Sequence, residues 1–336
     1  MEVESMSTFK ALVVDKNDQG EVTKEVRTLE ESDLPEGDVT IDVHYSSINY
    51  KDGMAAAPGS QIAQGYPLIP GIDLAGVVAS SNDSRYQEGD EVLVTGYELG
   101  VAYHGGYAEK ARVPADWVVK LPEGMTPREA MIFGTAGFTA GLSVVRLEEE
   151  GVTPEKGEVV VTGATGGVGS MAVAMLHSLG YDVAAVTGNA EAHDYLRSIG
   201  AGRILSREDV NPDKRKPLGK AMWAGAVDPV GGETLAYLLS TMKYHGTAAV
   251  SGLTGGTDVP TTVHPFILRG VNLAGIDSVY CPAEKRQHVW NRLADDLKIQ
   301  SMLDTIASET TLDDLAEDLD AILESRIQGR RVVALK

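Results

Sequence analysis

The chain has 336 residues, 43% of them hydrophobic, and a net charge of −20. That length and apolar content suffice for two domains with cores of their own, and so acidic a balance argues against nucleic acid and anionic membranes as partners. A single cysteine, Cys281, excludes an intrachain disulfide and points to the cytoplasm; no apolar run is long enough for a transmembrane helix and no charged-then-apolar leader marks a secretion signal.

Residues 1–5 (MEVES) read as an extension ahead of the apolar start at Phe9, with Met6 an alternative start. From Phe9 to Leu121 the pattern is short strands, KALVVD, DVTIDVHYSSI, IDLAGVVASS, DEVLVTGY and ADWVVKLP, divided by Gly, Pro and Asn or Asp. This predicts an irregular, mostly antiparallel β domain. The character changes after Pro122. Residues 125–151 have a helical period, and VVV at 159–161 starts a buried strand that stops at the glycines of GATGGVG. A helix follows, with Val168, Met171, Met175, Leu176 and Leu179 on one face and Gly180 closing it; DVAAVTG at 182–188 is a second buried strand. Further strands are predicted at 203–205, 225–228, 247–251 and 272–277, with helices at AEAHDYLRSIG and GGETLAYLLSTMKY between them. Strands alternating with helices make a parallel, doubly wound sheet. Residues 303–328 read as an acidic amphipathic helical region, and 329–336 as a terminal strand that returns to the first domain. There is no internal repeat.

The strand, glycine-rich turn and helix form the unit that sets a phosphate on a helix N-terminus. Against G-x-G-x-x-G, Ala164 holds the first place and Gly166 and Gly169 the others. A tight turn with no ligand is the alternative, but buried strands on both sides favour a dinucleotide. A P-loop is excluded, since no Gly-Lys-Ser/Thr follows. Thr162, Gly163, Gly167 and Gly169 also fit the T-G-x-x-x-G-x-G of short-chain dehydrogenases, but none of the twelve tyrosines has Lys four positions on. The second strand ends in Thr187, Gly188 and Asn189, with no carboxylate for the ribose hydroxyls of NAD. Neutral donors there, with Arg203 or Arg197 to meet a 2′-phosphate, predict NADP(H); the alternative for each arginine is a solvated surface position.

A β-rich first domain, a dinucleotide domain and a returning tail resemble the medium-chain dehydrogenase/reductase superfamily over essentially the whole chain. The resemblance is carried by IPGIDLAGVV (69–78), EGDEVLVTG (88–96), GGYAEKARVPADWVVKLP (105–122), GTAGFTAGL (134–142) and VTGATGGVG (161–169). Within it, SSINYKD (46–52), MWAGAVDPVGG and PFILRGVNLAGIDSV (265–279) look like the YhdH/YhfP-type quinone oxidoreductases, a subfamily that includes acrylyl-CoA reductases. The implied architecture is α/β: a GroES-like β-rich catalytic domain at 1–126 and 295–336, and a Rossmann NADP(H)-binding domain at 127–294.

Zinc alcohol dehydrogenases of the superfamily carry Gly-His-Glu where this chain has Gly71, Ile72 and Asp73, and a cysteine where SSINYKD has none. One cysteine cannot make a structural zinc site, and no two of the seven histidines are spaced i, i+4, so no metal is expected. Without a Lewis acid, hydride transfer suits acceptors that are already activated: quinones, or a C=C bond conjugated to a carbonyl. The resemblance implies an NADPH-dependent reductase of acrylyl-CoA or a related enoyl thioester, with quinone reduction the nearest alternative and a catalytically silent NADPH-binding protein a third. It sets Asn49 and Tyr50 beside the nicotinamide, and gives Lys51 and Asp52 structural roles in the same loop. Thr165, Gly166, Gly167 and Val168 are to cover the pyrophosphate. Leu253, Ile267, Ile276, Asp277, Ser278 and Arg330 are to complete the cofactor pocket. Lys285, Arg286 and Arg292 are candidates for the phosphates of a CoA ester, or else a solvated helix face. A homodimer is expected, paired along the strand near 272–279.

Overall fold

In the computed structural model, which describes residues 7–212 and 216–336, the chain separates into two units. The extension at residues 1–5 and the alternative start at Met6 lie outside the described residues. The first unit runs to Thr135 and takes in Pro282–Gln287 and Ala307–Lys336; the second holds Ala136–Cys281 and His288–Ile306.

The first unit opens with an antiparallel pair, β1 (Thr8–Lys16) and β2 (Val22–Glu30). There follow β3 (Val39–Ser47), helix α1 (Tyr50–Ala56), β4 (Asp73–Ser81), β5 (Glu91–Thr95), β6 (Lys110–Val113) and β7 (Val119–Lys120). In β3 the β-branched Val39, Ile41 and Val43 are fully buried while Asp42 and His44 are only partly so, the period-two pattern of a strand with one face in a core. Helix α2 (Pro127–Glu149) breaks at Gly134, whose φ of +52° only glycine adopts cheaply. By length and composition α2 passes for a membrane span, but its apolar stretch is 89% buried, as in a core helix.

The second unit alternates β8 (Val159–Val161), α3 (Gly167–Ser178), β9 (Val183–Val186), α4 (His193–Ser198), β10 (Arg203–Leu205), β11 (Trp223–Asp228), α5 (Gly232–Thr241), β12 (Met242–Val250), α6 (His264–Arg269) and β13 (Asn272–Gly275). Its six strands are all parallel, in the order β10-β9-β8-β11-β12-β13. The order reverses at β8, so the crevice of a doubly wound sheet lies beyond the C-terminal ends of β8, β9 and β11. The core here is built on Val160, Ala184, Val186, Trp223, Ala226, Leu235 and Leu239.

The chain continues through α7 (Ala283–Ala294) and α8 (Leu303–Ile306) to β14 (Ala307–Thr311), α9 (Leu315–Leu323) and β15 (Arg330–Ala334). The first unit's larger sheet is ordered β14-β15-β3-β4-β5-β7, with β6 also on β3. The terminal strand does return: β15 pairs antiparallel with β3, Val332 opposite Ser47. The acidic stretch 303–328 is not helical throughout. Ala307–Thr311 is a strand parallel to β15, because ASETT offers β-branched threonines and a long edge to cover, and the amphipathic helix is confined to Leu315–Leu323. Strands β2 and β6, rich in charged residues, also escape the hydrophobic pattern.

Candidate functional site

At the head of α1, SSINYKD turns from β3 into a helix, and the side chains of Ser46, Ser47, Asn49 and Asp52 are buried in the unit. Asp52, the third helical residue, accepts the backbone N–H of Asn49 at 2.8 Å through Oδ2 and that of Ile72 at 2.9 Å through Oδ1. Asp52 and Asp73 are fully buried. Asp73 Oδ2 accepts Ser47 Oγ–H at 2.6 Å, Asn49 Nδ2–H at 2.7 Å and the N–H of Thr135 at 2.9 Å, and its Oδ1 accepts the Thr135 hydroxyl. Arg330, from β15, donates Nε to Ile132 O at 2.9 Å, Nη1 to Ile48 O at 3.0 Å and Asn49 Oδ1 at 3.3 Å, and Nη2 to Ser47 Oγ at 2.8 Å; its Nη2 is 4.0 Å from Asp73 Oδ2. Gly134 completes the enclosure. A Cβ there would stand 2.5 Å from Ser47 Oγ and 2.6 Å from both Arg330 Nη2 and Asp73 Oδ2, so the break in α2 lets backbone pass where no side chain fits.

Two carboxylates and one guanidinium sealed from water do not balance. Burial, and then the neighbouring Asp73, push Asp52 up to about 7, against the N–H groups of Ile72 and Asn49 and the Tyr107 hydroxyl, which pull it down. Burial raises Tyr107 well above the ordinary tyrosine range, with Asp52 adding to it; Tyr107 Oη donates to Ser47 O at 3.2 Å. Burial also lowers Arg330, opposed by Asp73 and Asp52. What this cluster presents to solvent is Tyr50, at 44% exposure. Asn49 turns its whole amide inward and spends it on Asp52, Asp73 and Arg330.

In the second unit the glycine turn has the shape that the sequence implies. Gly166 is the N-cap of α3 and donates its N–H to Gly163 O at 3.0 Å. The first-turn amides of α3, on Gly167, Val168 and Gly169, have no acceptor within the helix and lie at its positive end. A Cβ on Gly169 would come 2.2 Å from Gly163 O, so this glycine serves close packing of helix on strand; one on Gly166 would meet only Gly163 O, at 3.4 Å, which leaves the turn open to a ligand. Asp228, raised by burial, accepts the Thr162 hydroxyl and the N–H groups of Val230 (3.2 Å) and Gly231 (2.9 Å), tying the end of β8 to the end of β11. Thr187 Oγ1 accepts the N–H of Asn189 at 3.0 Å. Any Cβ on Gly188 would fall 2.6 Å from Arg207 Nε, so the Arg207 side chain lies directly over this turn.

Several expected positions fall elsewhere. Arg203 begins β10, at the N-terminal edge of the sheet and away from the crevice; it pairs with Glu158 and stacks 5.1 Å over Trp223. Arg197 is exposed and pairs with Asp194. Arg207, absent from the sequence reading, is the arginine whose side chain lies over Gly188, and only the positive charge four residues past Arg203 could have signalled it. Arg330 does reach inward from the returning strand, yet into the sealed cluster, where its donors are taken up. The three-residue basic patch does not form, because Arg286 is buried on Thr95 and the Tyr97 ring while Arg292 is engaged by Glu148 and Asp296. Leu253 (exposed), Ile276, Asp277 and Ser278 leave the C-terminal ends of β12 and β13, whereas Ile267 is exposed on α6, which leads into β13 from its other end.

Residues 35–123 match the alcohol dehydrogenase GroES-like domain family and residues 167–315 the zinc-binding dehydrogenase family. Over 98% of its length, and all of the relative's, the chain is 56% identical to a putative quinone oxidoreductase, YhfP, of Bacillus subtilis. The chain belongs to the medium-chain dehydrogenase/reductase family. This dehydrogenase/reductase is also 51% identical to the acrylyl-CoA reductase AcuI of Ruegeria pomeroyi, across 97% of this chain and 98% of that one. The crystal structure of the Salmonella enterica oxidoreductase YhdH in complex with NADP matches it with a TM-score of 0.94 at 52% identity, over 97% and 100% of the two chains. That of YhfP with NAD bound gives 0.96, over 98% and 100%. Its architecture is thus the GroES-like β domain with a Rossmann parallel sheet that the family shares. Among the described residues of this dehydrogenase/reductase, no group of three His, Cys, Asp or Glu stands in metal-holding geometry.

Proposed function

We propose that this enzyme is a zinc-independent, NADPH-dependent reductase of an activated C=C bond, with acrylyl-CoA or a related enoyl thioester as its substrate. The observation that carries the reading is the donor set at the head of α1. The position of the family's zinc-binding histidine is Ile72, and the carboxylate beside it, Asp73, already accepts four hydrogen bonds from Ser47, Asn49 and Thr135. These residues suit a closed ionic network rather than a cation that polarises an alcohol.

Thr165, Gly166, Gly167 and Val168 would hold the pyrophosphate on the amides of α3, and Thr187, Gly188, Asn189 and Arg207 would receive the adenosine ribose and its 2′-phosphate. When bound, the cofactor supplies hydride for the β-carbon of the alkene. The chain's own contribution is orientation: the Tyr50 hydroxyl, exposed above a rigid cluster, can donate to the thioester oxygen as negative charge gathers there, while water or Tyr50 delivers the proton to the α-carbon. A quinone needs the same cofactor and no zinc, and the name of the B. subtilis relative favours it as the second reading. We further propose a homodimer formed along the edge strand β13, where Leu273 is exposed and Val263, Ile267, Leu268 and Tyr280 stand out in the same unit.

Loss of absorbance at 340 nm decides the matter when acrylyl-CoA and 1,4-benzoquinone are compared with NADPH and with NADH. Saturable turnover of the thioester with NADPH supports the proposal. Turnover of quinone alone shifts it to the second reading, and tight NADPH binding with no turnover leaves a silent binder.

A further inference from the structure

We propose that Asp52 is a positioning residue, which holds Tyr50 at its station by clamping the turn that precedes it to the entrance of β4. This rests on the reading of Tyr50 as the group presented to substrate. The Asp52 carboxyl spans from the Asn49 N–H, immediately before Tyr50, to the Ile72 N–H at the entrance to β4. Its Oδ2 also takes Asn49 Nδ2–H at 3.2 Å, and the same amide nitrogen reaches Asp73. Tyr50 is therefore the first helical residue after an N-cap pinned by its backbone and its side chain together, while its own ring remains exposed. A capping box on a surface helix holds a helix end; here it is buried and charged, so its geometry is tied to its ionisation.

The groups that face Asp52 come from every neighbouring element: Asp73 on β4, Arg330 on β15, Tyr107 after β5, Asn49 before α1, and Ser47 on β3 behind them. One guanidinium faces two carboxylates, so a proton on Asp52 makes the cluster neutral. Its loss puts a second negative charge beside Asp73, while the N–H groups of Asn49 and Ile72 hold a carboxylate more tightly than an acid. Ionisation of Asp52 therefore changes both the repulsion across the cluster and the grip on the turn at residues 49–52, and Tyr50 shifts with that turn.

The test uses the full-length enzyme carrying ring-labelled tyrosine, followed by NMR from about pH 5 to about pH 9, below the ordinary tyrosine range. The Tyr50 resonance is identified by its loss in Tyr50→Phe, and infrared difference spectra over the same range follow the buried carboxylic acid. In the unmodified enzyme the acid band disappears with a midpoint near neutrality and the Tyr50 resonance moves at the same midpoint. In Asp52→Asn both changes vanish, and because an amide has one acceptor oxygen for the N–H groups of Asn49 and Ile72, kcat falls about 10- to 100-fold with the KM for NADPH little altered. A Tyr50 resonance that ignores the carboxyl titration, or an Asp52→Asn enzyme in which it still moves, overturns the proposal. If Asp52→Asn does not fold, the correlation in the unmodified enzyme decides alone. Neither spectrum needs turnover, so an enzyme silent on every alkene would defeat the proposed reaction and leave this inference to stand or fall by itself.

Discussion

The cluster under α1 and the turn before α3 make opposite use of polarity. The first gathers two carboxylates, a guanidinium, an amide and three hydroxyls in a volume closed to water, and offers solvent one tyrosine. The second has hardly a charge in it and presents backbone amides at an open surface. A site made of backbone works through shape, so it tolerates side-chain changes that leave the glycines alone. A site made of buried charge works through balance, and a single deletion leaves an uncompensated ion.

That contrast is broken most forcefully at Arg330. Replacing it by leucine strands Asp52 and Asp73 without a counter-ion and is expected to cost about 3–5 kcal/mol in denaturant unfolding. Gly134→Ala comes next. It combines a left-handed φ with a Cβ pressed among Ser47, Asp73 and Arg330, a loss of about 2–4 kcal/mol by the same measurement. A third expectation concerns pH. Asp52 is raised when folded, so the native state binds the extra proton between the unfolded value near 4 and about 7. Its contribution to stability is intact below that window and is lost as pH rises through it, and Asp228 slopes the same way. Relative to Asp52→Asn, the unmodified enzyme is expected to lose on the order of 3 kcal/mol between about pH 4 and about pH 7, read from paired unfolding curves. A flat difference would mean that Asp52 stays ionised.

The smaller effects belong to the second unit. Arg207→Ala is expected to raise the KM for NADPH about 10- to 100-fold and to leave that for NADH nearly unchanged, since only a 2′-phosphate needs the guanidinium over Gly188. Arg203→Ala gives the matching control. It removes a half-exposed ion pair with Glu158, worth about 0–1 kcal/mol, and leaves cofactor choice as it was. An Arg203 variant that lost NADPH preference while Arg207→Ala kept it would reverse the assignment.

Legibility in the sequence follows the same division. Period and glycine spacing are local, so the strand at 159–161, the turn and α3 are plain from the residues alone, as is the alternation that makes the parallel sheet. The acidic tail misleads because ASETT carries too few apolar residues to declare itself a strand; it becomes one only because β15 offers an edge. The cluster under α1 is the least visible part. Asp52 and Asp73 lie twenty-one positions apart and Arg330 far beyond them, and nothing in a one-dimensional pattern says that three ionisable residues share one enclosure. Arg203 and Arg207 differ by a single strand's length, enough to send one to each end of β10.

The return of β15 has a consequence for synthesis. Arg330 meets Ser47 across 283 residues of chain, and its strand lies between β14 and β3 rather than at a margin. On the ribosome, all six strands of the second unit emerge before β15 does, while the Tyr45–Ser47 end of β3 waits for its β15 partner and the two aspartates for their cation. The nascent chain therefore passes through a stage in which the six-stranded sheet of the second unit is fully made while the first unit still lacks β14 and β15.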